Sequence, residues 1–445
     1  MQIREKFLLS ALCSLMLMPT HSCAFTIQDA IQQAVKTHPS IKGVKEEILM
    51  QEKILQQVDA QYYPSLDLSY SVGPEVTRTP ANQHQRSSLV RQNTTITLSN
   101  NIFAGFATTY EKEQQKALIL SANDQFYDSS NELAKKMSRT YLEVLKTKSL
   151  LDIAKENTQL HEKYLEQVKI KVDAGAGINS DYMQTLSRYE NTKDLEYMAR
   201  LQHENAIANY KSLLPEITSL EQFQTPSLKK LPAESLEDLV ELAKQNYPLL
   251  HSTRSTVTAI KAEANRAKAA FYPTVDIVAQ AYWNDKVHGV GYDNPLVPGT
   301  PGAKETEDMG YNALLVVNYN LFKGGSDSAF EQTKQHKLLK EQSKYLDQER
   351  SVVEGLTLSR NNFNLTTNSL QHIESYMNAT GETKANYEKE HELGRRSIID
   401  LLNISVEFNN ARNRKVSAEY DRLIAYYEVL AYTGKLFEEM SISFE

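Results

Sequence analysis

Residues 106–174 contain neither proline nor glycine, and no proline occurs between Pro80 and Pro215 or after Pro301. Proline breaks a helix and glycine weakens one, so a stretch this long without either suits one continuous helix and little else. At about 1.5 Å per residue it makes a rod of roughly 100 Å. Helices of compact globules are far shorter, which rules out a single compact globule for this chain of 445 residues.

Composition removes several functional classes. Mean hydropathy is −0.49 and no apolar run reaches the roughly 18 residues of a spanning helix, which excludes an α-helical membrane protein. A net charge of −7 and an isoelectric point near 5.9 argue against a nucleic-acid partner. The two cysteines, Cys13 and Cys23, lie at the N-terminus and can build neither a disulfide scaffold nor a zinc module. The ten histidines are scattered without metal-ligand spacing, and no phosphate-binding, zinc-hydrolase or nucleophile-elbow motif occurs. No catalytic residue, metal or cofactor is expected.

The N-terminus reads as an address. Arg4 and Lys6 precede the apolar stretch Phe7–Met18, and Ser22 and Ala24 sit three and one positions before a cleavage point after Ala24. Residues 1–24 are therefore expected to be a signal peptide, with lipidation at Cys23 as the alternative.

The remaining chain repeats itself. Thr26-Ile27-Gln28-Asp29, Pro39 and Tyr62-Tyr63-Pro64-Ser65-Leu66-Asp67 recur 209 positions later as Ser235-Leu236-Glu237-Asp238, Pro248 and Phe271-Tyr272-Pro273-Thr274-Val275-Asp276. Asn101-Ile102-Phe103-Ala104-Gly105, Gly175 and Asp181 recur 219 positions later as Asn320-Leu321-Phe322-Lys323-Gly324, Gly394 and Asp400. The period is too long for a solenoid and fits an internal duplication, with ten extra residues in the second copy's loop.

Each copy reads as helix, strand, loop, strand, long helix, tip and helix. The first copy, 25–214, holds a helix from about Gln28 to Tyr62, strands 64–76 and 90–103, a long helix 105–173 and a helix 180–213. A linker, 215–234, interrupts the helical pattern and is expected to belt the middle of the molecule. The second copy, 235–445, holds a helix, strands 273–284 and 309–322, a long helix 325–393, a helix 398–434 and a C-terminal tail in the same belt. Thr26 and Ser235 are N-cap signals. Every strand alternates: Leu66, Leu68, Tyr70 and Val72 against Ser65, Asp67, Ser69 and Ser71 is the clearest case. Two loops, about 77–89 and 285–308, carry the proline and glycine. Along the first long helix, Leu133, Met137, Thr140, Val144, Thr147, Leu151, Ala154, Thr158, His161, Leu165, Val168 and Val172 step by four and three, a heptad seam.

Strands of 10–13 residues with one apolar and one polar face match an outer-membrane strand, polar side to water and apolar side to lipid. Tyr70, Tyr282, Trp283, Tyr311 and Tyr319 are placed for aromatic girdles. A soluble four-stranded sandwich is the competing reading, and the signal peptide and 100 Å rods weigh against it. Four strands cannot close a barrel, and an open sheet edge is not tolerated in lipid, so several chains must share one barrel.

These residues carry a resemblance. The chain resembles the TolC-like outer-membrane factors, the exit ducts of tripartite efflux pumps and type I secretion systems, over essentially its whole mature length. The duplication, the strand starts Tyr63-Pro64-Ser65 and Tyr272-Pro273-Thr274, the Asn-x-Phe-x-Gly strand ends and the tip segments Gly175–Asp181 and Gly394–Leu402 carry it. It implies an α+β membrane protein: a trimeric 12-stranded β-barrel, four strands per chain, continuous with a long α-helical periplasmic barrel. It also implies partners: a second and third copy of the chain, outer-membrane lipid, a periplasmic adaptor protein and an inner-membrane ABC or proton-driven transporter.

The resemblance places the periplasmic gate at the tips. Asp400 matches an inward-facing acidic ring, and Arg396 matches an arginine that pairs with an acid of the neighbouring helix pair, here Asp181. Asn403 stands where a second acidic ring can occur, and His391 where a gating tyrosine can stand. Gly175, Ser180, Gly394, Arg395 and Ser397 belong to the expected adaptor-docking tips. From local chemistry, Gly175 and Gly394 read as C-terminal caps and Ser180 and Ser397 as N-caps.

The expected function is a passive outer-membrane exit duct of a Gram-negative envelope. The segment Leu98–Thr108 looks closer to type I ducts exporting adhesins or toxins than to drug-efflux ducts. Multidrug efflux is the alternative, and a structural coiled-coil envelope protein is the weaker rival.

Overall fold

The computed structural model describes residues 25–78, 87–216, 220–285 and 308–442. The expected signal peptide 1–24, with Cys13 and Cys23, and most of both expected loops lie outside them. Thr77, Ser87–Leu89, Asp285 and Asp308, read as loop, are strand ends.

The chain runs α1 (Ile27–Thr37), α2 (Pro39–Ala60), β1 (Ser65–Thr77), β2 (Ser87–Ala104), α3 (Ala107–Asp173), α4 (Asn179–Leu213), α5 (Leu236–Asn246), α6 (Pro248–Ala267), β3 (Thr274–Asp285), β4 (Asp308–Asn318), α7 (Ser326–Glu392), α8 (Ile398–Tyr432) and α9 (Leu436–Glu439). The duplication is register-true. α1 and α5 both have 11 residues, α3 and α7 both 67, and α4 and α8 both 35.

The single helix expected from Gln28 to Tyr62 is two helices. Pro39 forces the preceding His38 into extended backbone (φ −64°, ψ 131°), which ends α1 and opens α2 with proline in its first turn. Tyr247 and Pro248 repeat the break in the second copy. Thr26 caps α1 in a box with Asp29, and the Ser235 hydroxyl accepts from the Asp238 amide at 3.0 Å.

The four strands form one antiparallel sheet in the order β1-β2-β3-β4, leaving β1 and β4 as free edges. Leu66, Leu98, Ala279 and Ala313 lie in one cross-strand row, and Leu68, Ile96, Ala281 and Tyr311 in the next. The pleat therefore gathers most apolar residues of the four strands on one face, with Val278, Leu314 and Val316 on the other. The apolar face is bare, with Tyr311 90% exposed. The opposite face carries Asp67, Thr97, Gln280 and Asn312 in one row, and Asn101 donates to Asp276 at 2.7 Å. Tyr282 belongs to this polar face rather than to a girdle. Its ring lies where a side chain on Gly310 would have to go. β4 ends at Asn318, short of the expected 322. Asn318 pairs with Thr274, and Pro273 beyond it cannot extend the ladder.

Below the sheet, α3 is the spine. It contacts α1, α2, α4, α6 and α8, and it buries Leu133, Met137, Val144, Thr147, Leu151, Thr158, His161 and Val168 of the heptad seam. Midway along, Phe25 and Phe223 form a backbone bridge, and Phe223 stacks on Tyr141 at 4.6 Å between ring centres. The Tyr141 hydroxyl bonds the backbone carbonyls of Phe25 (2.7 Å) and Gln224 (3.0 Å). One buried ring thus ties the chain's first described residue and the linker between the copies to the spine.

Candidate functional site at the hairpin tips

Both helical hairpins turn in the same way. After α3, Gly175 takes φ +74°, its N–H bonds the Val172 carbonyl (2.9 Å), and the Ala176 N–H bonds the Lys171 carbonyl (2.9 Å). After α7, Gly394 takes φ +70°, with Gly394 N–H to His391 carbonyl (2.9 Å) and Arg395 N–H to Glu390 carbonyl (2.8 Å). This is the Schellman closure, and a side chain at either glycine would be strained.

The two return helices start differently. Ser397 caps α8: its hydroxyl accepts from the Asp400 amide (3.1 Å) and donates to the Asp400 carboxylate (2.7 Å). The Ser397 hydroxyl and the Ser397 backbone N–H (3.3 Å), both donating to the carboxylate, with Arg396 adding a smaller push, hold the Asp400 carboxyl below its usual range. On the first tip the N-cap is Ile178, not Ser180, and it offers no side-chain cap. The Schellman turn fixes the cap three residues after the glycine, which puts Ser180 inside the first turn. Asp181 keeps the acidic position of that turn.

Arg396 is engaged by its own hairpin. Its Nε donates to Glu390 at 2.9 Å, and its guanidinium sits 4.0 Å over the Tyr387 ring. Among the described residues it makes no bond to Asp181, so within one chain the pairing implied by the family resemblance is absent. His391 donates from Nδ1 to the Arg396 carbonyl at 2.7 Å, closing the turn. Asn403 accepts from Arg188 of α4 at 2.8 Å. Just above the tips, Tyr164 and Val168 of α3 pack with Ile398, Leu401 and Leu402 of α8.

Residues 30–214 and 239–435 match the family model described as outer membrane efflux protein. The chain belongs to that family. It is 23% identical over 339 residues to the outer membrane protein TolC of Escherichia coli, covering 74% of this chain and 64% of that relative's length. It is 24% identical over 355 residues to the alkaline protease secretion protein AprF of Pseudomonas aeruginosa, covering 77% of this chain and 70% of that relative. The CmeC outer membrane channel of Campylobacter jejuni superposes with a TM-score of 0.77 at 14% identity, over 92% of this chain and 86% of that one.

As a member of the outer membrane efflux protein family, the chain is an outer-membrane protein with a periplasmic extension, and not an enzyme. Its fold is one chain's share of a membrane β-barrel continuous with a long helical barrel. Among the described residues no helix is long and apolar enough to cross a membrane.

Three participants at the tips escaped the sequence. Glu390 and Tyr387 could have been found from the turn, because Schellman geometry folds the residues after Gly394, Arg396 among them, back over the last turn of α7. Arg188 had a fainter signal. With Thr185 and Thr192 it follows the three–four step of a helix seam, an unusual place for a lone arginine.

Proposed function

We propose that three copies of this chain form an outer-membrane exit duct, closed at rest by the hairpin tips, for substrates delivered by an inner-membrane transporter through a periplasmic adaptor. The observation that carries this reading is the four-stranded sheet. It is apolar on one face, polar on the other and unpaired at both edges, and it continues into two hairpins of 67- and 35-residue helices. In lipid those edges must be paired, and three chains supply 12 strands at four per chain. Tyr319–Phe322, paired with no strand among the described residues, would then pair with β1 of the next copy. The linker 215–234 and the C-terminal tail would form the belt around the middle of the tunnel.

The gate assignment rests on the tips. Asp400, one turn before Asn403, would supply an acidic ring around a narrow axis, favouring cations. Asp181, Arg396 and His391 would shape the same constriction. Gly175, Ser180, Gly394, Arg395 and Ser397 would form the docking surface for the adaptor. Planar-bilayer recording of Asp400→Ala should show weaker cation selectivity and less block by multivalent cations from the periplasmic side. Unchanged selectivity and block would remove Asp400 from the gate.

For substrate, we favour type I export of a large protein such as an adhesin or toxin, driven by an ABC transporter. The Leu98–Thr108 segment supports it, as does the likeness to a protein named for alkaline protease secretion. The family's own description as an efflux protein favours the second reading, a small-molecule duct fed by a proton-driven pump. Deleting the gene decides between them. Loss of a large protein from the medium with unchanged drug tolerance fits the first, and drug sensitivity with an intact secretome fits the second.

A further inference from the structure

Well above the tips, α3 and α8 are tied by the ion pairs Arg139–Glu428, Lys146–Asp421 (2.8 Å) and Glu156–Arg412 (2.7 Å). Nearer the entrance, α4 and α8 share one hydrogen bond among the described residues, Arg188 to Asn403. Within electrostatic reach of that guanidinium lies His161 of α3, 0% exposed. Its Nδ1–H donates to the Asn157 carbonyl at 2.9 Å, so the neutral ring carries its lone pair on Nε2, which is buried without a partner among the described residues.

We infer that Arg188 is the positioning residue that latches the first hairpin to the second at the closed entrance, and that buried His161 makes this latch release in acid. The inference rests on the duct reading and deepens it.

The chemistry runs as follows. Asn403 is a neutral acceptor, so its bond to Arg188 is weaker than a guanidinium–carboxylate fork. A proton added at His161 Nε2 would be an N–H without an acceptor, and a positive charge facing Arg188. Burial first, and Arg188 second, hold the imidazole below its ordinary value, while its bond to Asn157 opposes them. From α4 the charge that reaches the ring is Arg188. On α8 the stretch between Leu401 and Asn409 offers neutral Ile404 and Ser405 at this level, and the Ser405 hydroxyl is spent on the Leu401 carbonyl at 2.7 Å. On α3 the neighbouring Glu162 accepts from Tyr189 at 3.5 Å at the surface. Among the described residues, therefore, no carboxylate compensates a charged His161.

The sign follows from linkage. Separating α4 from α8 exposes His161 to water, where it titrates near its ordinary value of about 6.5. Below that pH the separated state takes up a proton that the closed state refuses, so acid favours opening, and three chains multiply the effect.

The test uses the full-length trimer in planar bilayers, with the periplasmic side taken from pH 7.5 to 5.5. Open probability of the parent should rise at least about tenfold. His161→Gln should abolish the acid step, with His161→Phe as a second non-titrating variant should Gln misfold. Arg188→Ala should be open already at pH 7.5. An independent readout needs no pore: spin labels at Gln184→Cys on α4 and Glu407→Cys on α8 should move apart on acidification, but not with His161→Gln. An acid step that persists in both histidine variants, an unresponsive parent, or Arg188→Ala behaving like the parent at pH 7.5 would each overturn the latch. Labels that separate with acid in a protein that never conducts would keep the latch and overturn the duct.

Discussion

α3 and α7 have the same length, correspond residue for residue 219 positions apart, and end in the same glycine turn, yet they live in different surroundings. α3 buries side chains on nearly every turn from Gln115 to Val168. α7 buries Val352, Leu356, Ser359, Ile373 and Thr380, and leaves Leu339, Leu346 and Leu365 bare. Where the two copies still agree, at Met137 and Leu356, both are fully buried. Where they diverge, the difference is one of partners. Lys146 of α3 is matched to Asp421 of α8, while its counterpart Leu365 is an apolar side chain left largely exposed. Duplication supplied two rods of equal length. One became the spine of its own chain, and the other an edge with exposed leucines, which the proposed assembly would cover with a neighbouring copy.

The contrast can be broken most forcefully at Tyr141. Tyr141→Ala removes a buried ring and the hydroxyl that gathers Phe25 and Gln224 onto α3, and should cost about 3–5 kcal/mol of chain stability. The α7 double variant Leu346→Asp/Leu365→Asp should leave helical content and melting of the single chain nearly unchanged while abolishing the trimer. Thermal circular dichroism and light scattering on the detergent-purified protein separate the two outcomes. If both variants melt alike, the spine-and-edge distinction is wrong.

A subtler difference concerns Asp128 of α3 and its counterpart Asp347 of α7. Asp128 is 7% exposed, and burial, aided by Glu132, pushes its carboxyl up to about 6. One Asp128 oxygen has no hydrogen-bond partner among the described residues. A carboxyl raised in the folded state is a burden wherever it must be ionised. That burden is full above about pH 6 and is relieved as pH falls toward the unfolded value near 4. Asp128→Asn should therefore stabilise the chain by about 2–3 kcal/mol at pH 7.5, with the gain vanishing near pH 4. Asp347 is exposed, and Asp347→Asn should change little at either pH. Urea titrations of both variants at the two pH values measure the contrast.

The sequence carried the rods, the duplication and the two-faced strands because each depends on local physics: missing breakers, a repeated landmark order, a period of two. It carried less where the outcome depends on how elements meet. Helix boundaries near His38 needed the steric effect of a following proline, and the end of β4 depended on Pro273 one strand away. At the tips, Asp400 was legible as an acid, but its capture by Ser397 turns on helix-start geometry. Arg396 was legible as a cation, yet its choice of Glu390 over Asp181 depends on a turn that folds the chain back on itself. Arg188 and His161 belong to different helices, and nothing in the linear pattern brings them together.

The smallest expected effects set the two tips against each other. At the second, Ser397 and Asp400 exchange both bonds of a capping box. At the first, Asp181 already stands at the acidic position, but Ile178 occupies the cap and is 66% exposed. Ile178→Ser would complete the missing box without displacing any packed side chain. It should slow amide exchange over the first turn of α4 by roughly the factor that 0.5–1 kcal/mol represents. Ser397→Ala should do the opposite on α8, by about 1 kcal/mol, because it strands the Asp400 amide and frees its carboxylate. Reciprocal shifts in exchange, confined to Asn179–Tyr182 and Ile398–Leu401, would make the cap the source of the difference between the tips. Equal protection in parent and both variants would mean that packing of Leu401 and Leu402 against α3, rather than capping, fixes where the return helices begin.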